Sequence, residues 1–478
     1  MSAGAGWITL RAPMTLHLAL LIAYCVVIMG MGLFVGRQTK TKGDFFVAGR
    51  SLGPGLLFAT LVAANIGAGS TVGASGLGYR DGLSAWWWVG SAALGSLVQA
   101  FLVGPKMRRI AADRGLHTVG DFLEYRYGRN VRGIVSSLLW VGTLAILAGQ
   151  IIAMGLVLNA VLGLPKYVGC LLGGIVMTVY FTAGGLLTSA WVNALQLVLE
   201  LSVYALLVPV ALSRAGGWAG LAAAAPPNPE YWSFWQGGAS GIAYLALLAP
   251  AFVISPGLLQ KVYGARDDRT VRIGVAANAA LLLLFAFVPV TLGMVARVLH
   301  PDLANHELAL PTLLVRDLPP VVGALGLAAV FSTEVNTADA ILFMLSTSLS
   351  QDLYRGYLKP QATDDEVLRV ARLAAVAGGT LGVLLAIVSP SVIGALSIFY
   401  TVLGVCLFVP MMAGLYVRRA GTPEAMAAIF GGVAVMLAVH LATGGRGFGI
   451  ASPALVGLIA SVLACTIVLA LRRREAAL

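Results

Sequence analysis

Residues Ala63-Ala64-Asn65-Ile66-Gly67-Ala68-Gly69-Ser70-Thr71 interrupt an apolar stretch that runs from about 52 to 79. A continuous membrane helix has no need of so many small and polar residues near its middle. A second interruption, Ser255-Pro256-Gly257, sits in the stretch 240–262. Proline removes a backbone donor and glycine tolerates unusual dihedrals, so both helices can break there. Each interrupted stretch opens a group of five. Two broken spans at corresponding positions point to a transporter built from inverted repeats, with its sites where the helices unwind.

Thirteen apolar stretches can be drawn along the chain, at about 14–36, 52–79, 83–105, 134–162, 167–185, 188–213, 240–262, 273–299, 319–350, 370–389, 391–417, 422–444 and 451–471. Most reach the roughly 20 residues that a membrane helix needs. Composition agrees: 59% of the chain is hydrophobic, 11% is charged, and mean hydropathy is +0.90. Soluble domains run near 45–50% apolar and about 25% charged. The stretches are continuous rather than alternating, which excludes a barrel, and open sheet edges are not tolerated in lipid. The first stretch is longer than the apolar part of a signal peptide and lacks an evident cleavage site, so it reads as an uncleaved span.

The net charge of +11 is spread through short loops, so nucleic acid is not an expected partner. With the N-terminus outside, loops on the inner side hold 24 of the 31 Lys and Arg residues. The positive-inside rule therefore predicts an outer N-terminus and a cytoplasmic C-terminus. Trp86, Trp87 and Trp88 open the third stretch and read as an interfacial aromatic belt. Cys25, Cys170, Cys406 and Cys465 fall inside apolar stretches without metal-ligand spacing. No catalytic constellation, metal cluster or phosphate loop is visible, so an enzyme is not expected.

The ninth stretch carries Ala329, Ser332, Thr333, Glu334, Asn336, Thr337 and Asp339. On a 3.6-residue turn Ser332, Asn336 and Asp339 share a face and Thr333 borders it. Glu334 lies about 200° around from Ser332 and is expected to stay away from that site. Hydroxyls and freed carbonyls suit a hard cation such as sodium. Glu200 shares a helical face with Asn193 and Gln196, and an acid within a span is a functional candidate.

These residues resemble the sodium/solute symporter family, relatives of the sodium/glucose, sodium/proline and sodium/pantothenate symporters. The likeness covers about 14–471. It rests on DFFVAGRSLGPG at 44–55, AANIGAGSTVGASGLGY at 63–79, GGLLTSAWVNALQ at 184–196, SPGLLQKVYGARDDRTVRIG at 255–274 and AAVFSTEVNTADAILFMLSTSLSQDLYRGY at 328–357, in that order. The resemblance implies an all-α membrane protein of about 13 transmembrane helices with an inverted five-helix-repeat core, the LeuT-like fold. Repeats at 52–213 and 240–417 would be flanked by peripheral helices at 14–36 and 422–471. It implies a multi-pass protein of the cell membrane. Such a protein imports a small organic solute with Na+ as co-transported ion, by alternating access and without an organic cofactor.

Carried over residue by residue, the resemblance implies a sodium site made by the Ala63 and Ile66 carbonyls with Ala329, Ser332 and Thr333. Candidate solute contacts are Asn65, Ser70, Gln150 and Ser255. Ser70 stands where sugar-transporting relatives often carry a longer amide, so a sugar is not favoured. Relatives with a second sodium site use an Asp where this chain has Asn193, and hydroxyls where it has Val335 and Asn336. This predicts one sodium per solute, with Asn193, Glu200, Asn336 and Asp339 as candidate coupling residues. Glu200 lies two turns from Asn193, roughly 10 Å, and is expected to be too far along to serve that site. Proton coupling through Glu200, Glu334 or Asp339 is the alternative reading.

Overall fold

A computed structural model describes residues 16–24, 26–27, 50–182, 186–235 and 241–475. Cys25, the segment 44–49 and the side chain of Asn193 lie outside the described residues, as does most of the expected first span. The described residues are helical with short connections. They include ten helices long and apolar enough to cross a membrane, with two shorter apolar helices at Pro54–Asn65 and Lys166–Val179.

The first interrupted stretch forms α1 (Pro54–Asn65), a π-helical turn (Gly69–Gly73) and α2 (Ala74–Asp81). Pro54 opens α1, where its missing N–H costs nothing. Gly82 then turns the chain with φ 69° and ψ −140°, a conformation that needs glycine. The third stretch is α3 (Trp86–Val98), continuing through a π turn into α4 (Gly104–Arg114). There follow α5 (Val119–Tyr127), α6 (Arg129–Leu162), α7 (Lys166–Thr182) and α8 (Leu186–Arg214).

The seventh stretch repeats the pattern of the second. It forms α9 (Gly241–Ile254) and α10 (Pro256–Tyr263), separated by Ser255 at φ −51° and ψ 120°. Beyond it lie α11 (Asp268–Phe285), α12 (Phe287–Leu299), α13 (Pro320–Thr347), α14 (Asp364–Val388) and α15 (Val392–Val402). The final helices, α16 (Thr422–Thr443) and α17 (Pro453–Glu475), pack chiefly on each other.

Two features of this packing place the site. Helix α13 contacts α1, α6 and α8, so polar residues on its different faces meet different neighbours. Helix α15 lies along α6 and covers the π turn after the break, where Leu396 and Ile393 approach Gly69 and Gly73.

The aromatic-belt expectation for Trp86, Trp87 and Trp88 is corrected: all three are buried. Trp86 and Trp87 donate their indole N–H groups to the carbonyls of Leu283 and Phe234. Trp88 packs edge-on against Tyr244 and Tyr400, with its ring nitrogen beside Gly69. The turn at Gly82 folds these rings inward against α9 and α11 rather than out to lipid.

At the far end of α13, Arg132 of α6 gathers Asp121 (2.8 Å), Glu124 (2.5 Å) and Asp352 (2.8 Å). Thr118, which caps α5, also donates to Asp352 at 2.6 Å. This network ties the end of the α13 helix to α5 and α6.

Candidate functional site

The helical ladder of α1 stops where Ile66 turns extended, at φ −93° and ψ 99°. Carbonyls and amides past that point need other partners. The Ala68 amide donates to the Gln150 side-chain oxygen of α6 at 2.8 Å. The carbonyls of Ala63 and Ile66 both converge on the Thr337 hydroxyl of α13, each at 3.0 Å. One hydroxyl hydrogen can serve one of these carbonyls well, not both. The result is three oxygens from two helices meeting at one point, with more acceptor capacity than hydrogen to fill it. That is the donor chemistry of a hard cation site.

Gly67 makes this approach possible. A Cβ there would stand 2.4 Å from the Thr337 hydroxyl oxygen and 2.7 Å from the Gln150 side-chain oxygen. Only a residue without a side chain lets α6 and α13 close on the break together.

The faces of α13 were legible, but their neighbours differ from the expected ones. Ser332 and Asn336 share a face that looks toward α8. The Ser332 hydroxyl donates to the Glu200 carboxylate in a very short hydrogen bond, and Asn336 donates to the same oxygen at 2.9 Å. Gln196 donates to Ser332 at 3.3 Å and to Tyr24 at 2.8 Å. The Thr333 hydroxyl turns back to the Val330 carbonyl at 2.7 Å. Neither hydroxyl assigned from the resemblance therefore meets the Ala63 and Ile66 carbonyls. Thr337, one turn beyond Thr333, meets them instead. Ala329 lies two turns before Thr337, roughly 12 Å along the axis.

Glu334 also departs from expectation. It does lie away from Ser332, but that side of α13 faces the broken stretch. Its carboxylate accepts from the Thr71 hydroxyl at 2.8 Å. Glu200 is likewise closer to the action than two turns from Asn193 suggested, because its side chain reaches across to α13.

The solute candidates separate into two groups. Asn65 points to α11, donating to Asn278 at 3.0 Å, and so braces the end of α1. Gln150 holds the Ala68 amide, and the Ser70 hydroxyl donates to the Asn65 carbonyl at 2.7 Å. Ser70 is half-buried, unlike Gly69 and Thr71 beside it. At the second break Ser255 precedes Pro256 without capping α10 through its side chain. Gln99, which opens the π turn after α3, donates to the Phe252 and Val253 carbonyls at 3.2 and 3.3 Å. Gln99 and Asn278 escaped the sequence reading. Their signal was a lone amide inside an apolar stretch, which must find a partner when buried.

Lys261, near the end of the stretch 240–262, is buried on α10 and donates to the Thr60 hydroxyl of α1 at 3.1 Å. Its charge interacts with Asp339. These groups lie on the side of the break away from α2.

Comparisons with known proteins bear on the family and the fold. The model of the sodium:solute symporter family matches residues 45–432. The chain is 27% identical to the sodium/glucose cotransporter of Vibrio parahaemolyticus, over 76% of this chain and 73% of that one. It is 27% identical to the sodium/pantothenate symporter of Escherichia coli (strain K12), over 93% and 94%. Among solved structures it is similar to a Na+-coupled sialic acid symporter in a substrate-bound outward-open state. That match has a TM-score of 0.79 at 19% identity and covers 95% of this chain and 96% of the other. A nucleobase-cation-symport-1 family transporter shares the fold with a TM-score of 0.61 at 15% identity, covering 90% and 94%.

Proposed function

This chain belongs to the sodium:solute symporter family and is a sodium-coupled symporter with a LeuT-like fold, and from that premise we propose where it holds its ion and its solute. The sodium ion sits among the Ala63 and Ile66 carbonyls and the Thr337 hydroxyl. The observation that carries this reading is the convergence of those three oxygens at 3.0 Å across the broken span. Ser332 and Thr333 are replaced in this assignment by Thr337, and Ala329 drops out with them.

The solute lies beside the π turn, against Ser70 and Gln150 of α6, with Ser255 and the freed backbone of the second break on its other side. Trp88, Tyr244 and Tyr400 supply an aromatic wall there. The solute is a small organic molecule. Gln150 couples the two ligands, because it grips the Ala68 amide next to the ion's carbonyls.

Glu200, Ser332 and Asn336 act as a coupling latch between α8 and α13. An ion entering beside Thr337 would shift α13 and so load this latch. Asp339 and Lys261 serve the inner side of the same path. We assign Asn193 no separate part.

The repeats are taken as 52–213 and 240–417, supported by the corresponding breaks after α1 and α9. The protein lies in the cell membrane with its N-terminus outside and its C-terminus in the cytoplasm, as the Lys and Arg distribution supports. A thermal-shift screen of metabolites with purified protein, in sodium and in choline buffers, tests the whole reading. A solute whose stabilisation requires sodium is the expected result. Solute stabilisation equal in both buffers would contradict it.

A further inference from the structure

Helix α13 carries a second acidic residue that the reading above leaves unused. Glu334 is fully buried. One carboxylate oxygen accepts from Thr71, and the other, also buried, has no hydrogen-bond partner among the described residues. The charged group that acts on it is another carboxylate, Glu200 of α8, and among the described residues no positive side chain forms an ion pair with it. Tyr204, also on α8, is nearly as buried, and its hydroxyl lies beside the Thr333 hydroxyl. That phenol faces Thr333 and interacts with the Glu334 charge. Its ring is fixed edge-on against Phe285 at 5.2 Å.

We infer that Glu334, Thr71 and Tyr204 form a second cation-binding station, which takes one monovalent cation, sodium under working conditions. The three residues come from three separate elements: α13, the π turn and α8. Glu334 precedes Thr337 by three residues, roughly 4.5 Å along α13. Thr71 follows Ile66 by five residues on the side leading into α2. The station therefore adjoins the Thr337 oxygens, on the side of α2.

The donor chemistry selects the ligand. Every group is an oxygen, which suits a hard cation. A single carboxylate balances one positive charge and leaves a divalent ion undercompensated. Leaving the carboxylate ionised with nothing bound would impose the full cost of an unpaired charge in low dielectric. Thr71 links the station to the first site, since its hydroxyl also contacts the Gly67 carbonyl at 2.9 Å. An ion drawing on the Thr71 oxygen would pull on the same turn that shapes the Ala63 and Ile66 carbonyls.

This inference rests on the sodium-symporter reading, and the test separates the two. Equilibrium binding of radioactive sodium to the purified full-length protein in lipid nanodiscs should saturate at two ions per chain, against the single sodium that the resemblance predicts. Glu334→Gln should bind one, and Thr337→Val should also bind one. Tyr204→Phe should keep two but weaken one of them by about tenfold. Wild-type saturation at a single ion, or an unchanged isotherm for Glu334→Gln, overturns the station. If Glu334→Gln cannot be purified as a monodisperse protein, Tyr204→Phe decides alone, and an isotherm equal to wild type overturns it. Loss of one ion in Glu334→Gln with none lost in Thr337→Val would leave the station standing and remove the Thr337 site instead.

Discussion

The hydroxyl of Thr337 lies 3.0 Å from the carbonyl of Ile66, joining the middle of one membrane helix to the unwound end of another. The same hydroxyl lies 3.0 Å from Ala63. Neither helix alone presents a cation site. Helix α1 supplies carbonyls that have lost their ladder partners, and α13 supplies an oxygen at the right height.

The fit of Gly67 beneath Thr337 gives the first prediction. Gly67→Ala introduces a methyl 2.4 Å from the hydroxyl oxygen, which must move. The hydroxyl can then no longer share a centre with both carbonyls. Sodium-dependent thermal stabilisation should fall by at least about 1.4 kcal/mol, equivalent to tenfold in affinity. Stabilisation equal to wild type would show that the turn relaxes without disturbing the oxygens.

Much of this was legible in the sequence. The two interruptions were placed correctly, because Pro256, Gly67 and Gly69 carry their own backbone physics. The helical face shared by Ser332 and Asn336 was also right, since 3.6-residue periodicity is a local property. What failed was the choice of neighbour. Which face of α13 meets α1 depends on how three helices dock, and no local pattern encodes it. Ser332 and Thr333, the two hydroxyls that the resemblance points to, turn to Glu200 and Val330, and the ion site proposed at Thr337 lies one turn further on. Trp86 to Trp88 misled for a related reason: aromatic rings at a span end look the same whether lipid or protein covers them.

Gln150 tests the brace behind the break. Gln150→Leu keeps the side-chain volume but removes the acceptor for the Ala68 amide. A buried donor left without a partner costs about 1–3 kcal/mol. The midpoint of thermal unfolding should fall, and hydrogen exchange at Ala68 should quicken. Exchange at wild-type rate would mean that another acceptor takes over.

Arg132 tests the network at the far end of α13. Arg132→Met leaves Asp121, Glu124 and Asp352 facing one another without their cation. Breaking a buried pair costs about 3–5 kcal/mol, and the partial exposure of Glu124 places the loss toward the lower end or below it. Chemical denaturation in detergent should show a loss of ~2–3 kcal/mol, partly restored when Asp352→Asn is added. A double variant no more stable than the single would argue against like-charge repulsion.

Orientation is open to direct labelling. Single cysteines at Arg266 and Asn228, both exposed, should react from opposite sides of the membrane. In intact cells an impermeant maleimide should label the Asn228→Cys protein and spare Arg266→Cys. Labelling of Arg266→Cys from outside would reverse the orientation and, with it, the direction in which α1 and α13 present the site.

The sodium affinity of Thr337→Val against that of Ser332→Ala decides where the ion sits. Both are single hydroxyl deletions on α13, little more than a turn apart. A lost ligand to a charged partner is worth about 1.5–3 kcal/mol. Sodium titration followed by thermal stability should therefore give Thr337→Val an affinity at least about tenfold weaker. Ser332→Ala, which loses its links to Glu200 and Gln196, should stay within about threefold of wild type. The reverse order, with Ser332→Ala abolishing sodium stabilisation and Thr337→Val preserving it, would contradict the placement of the ion between Ala63, Ile66 and Thr337.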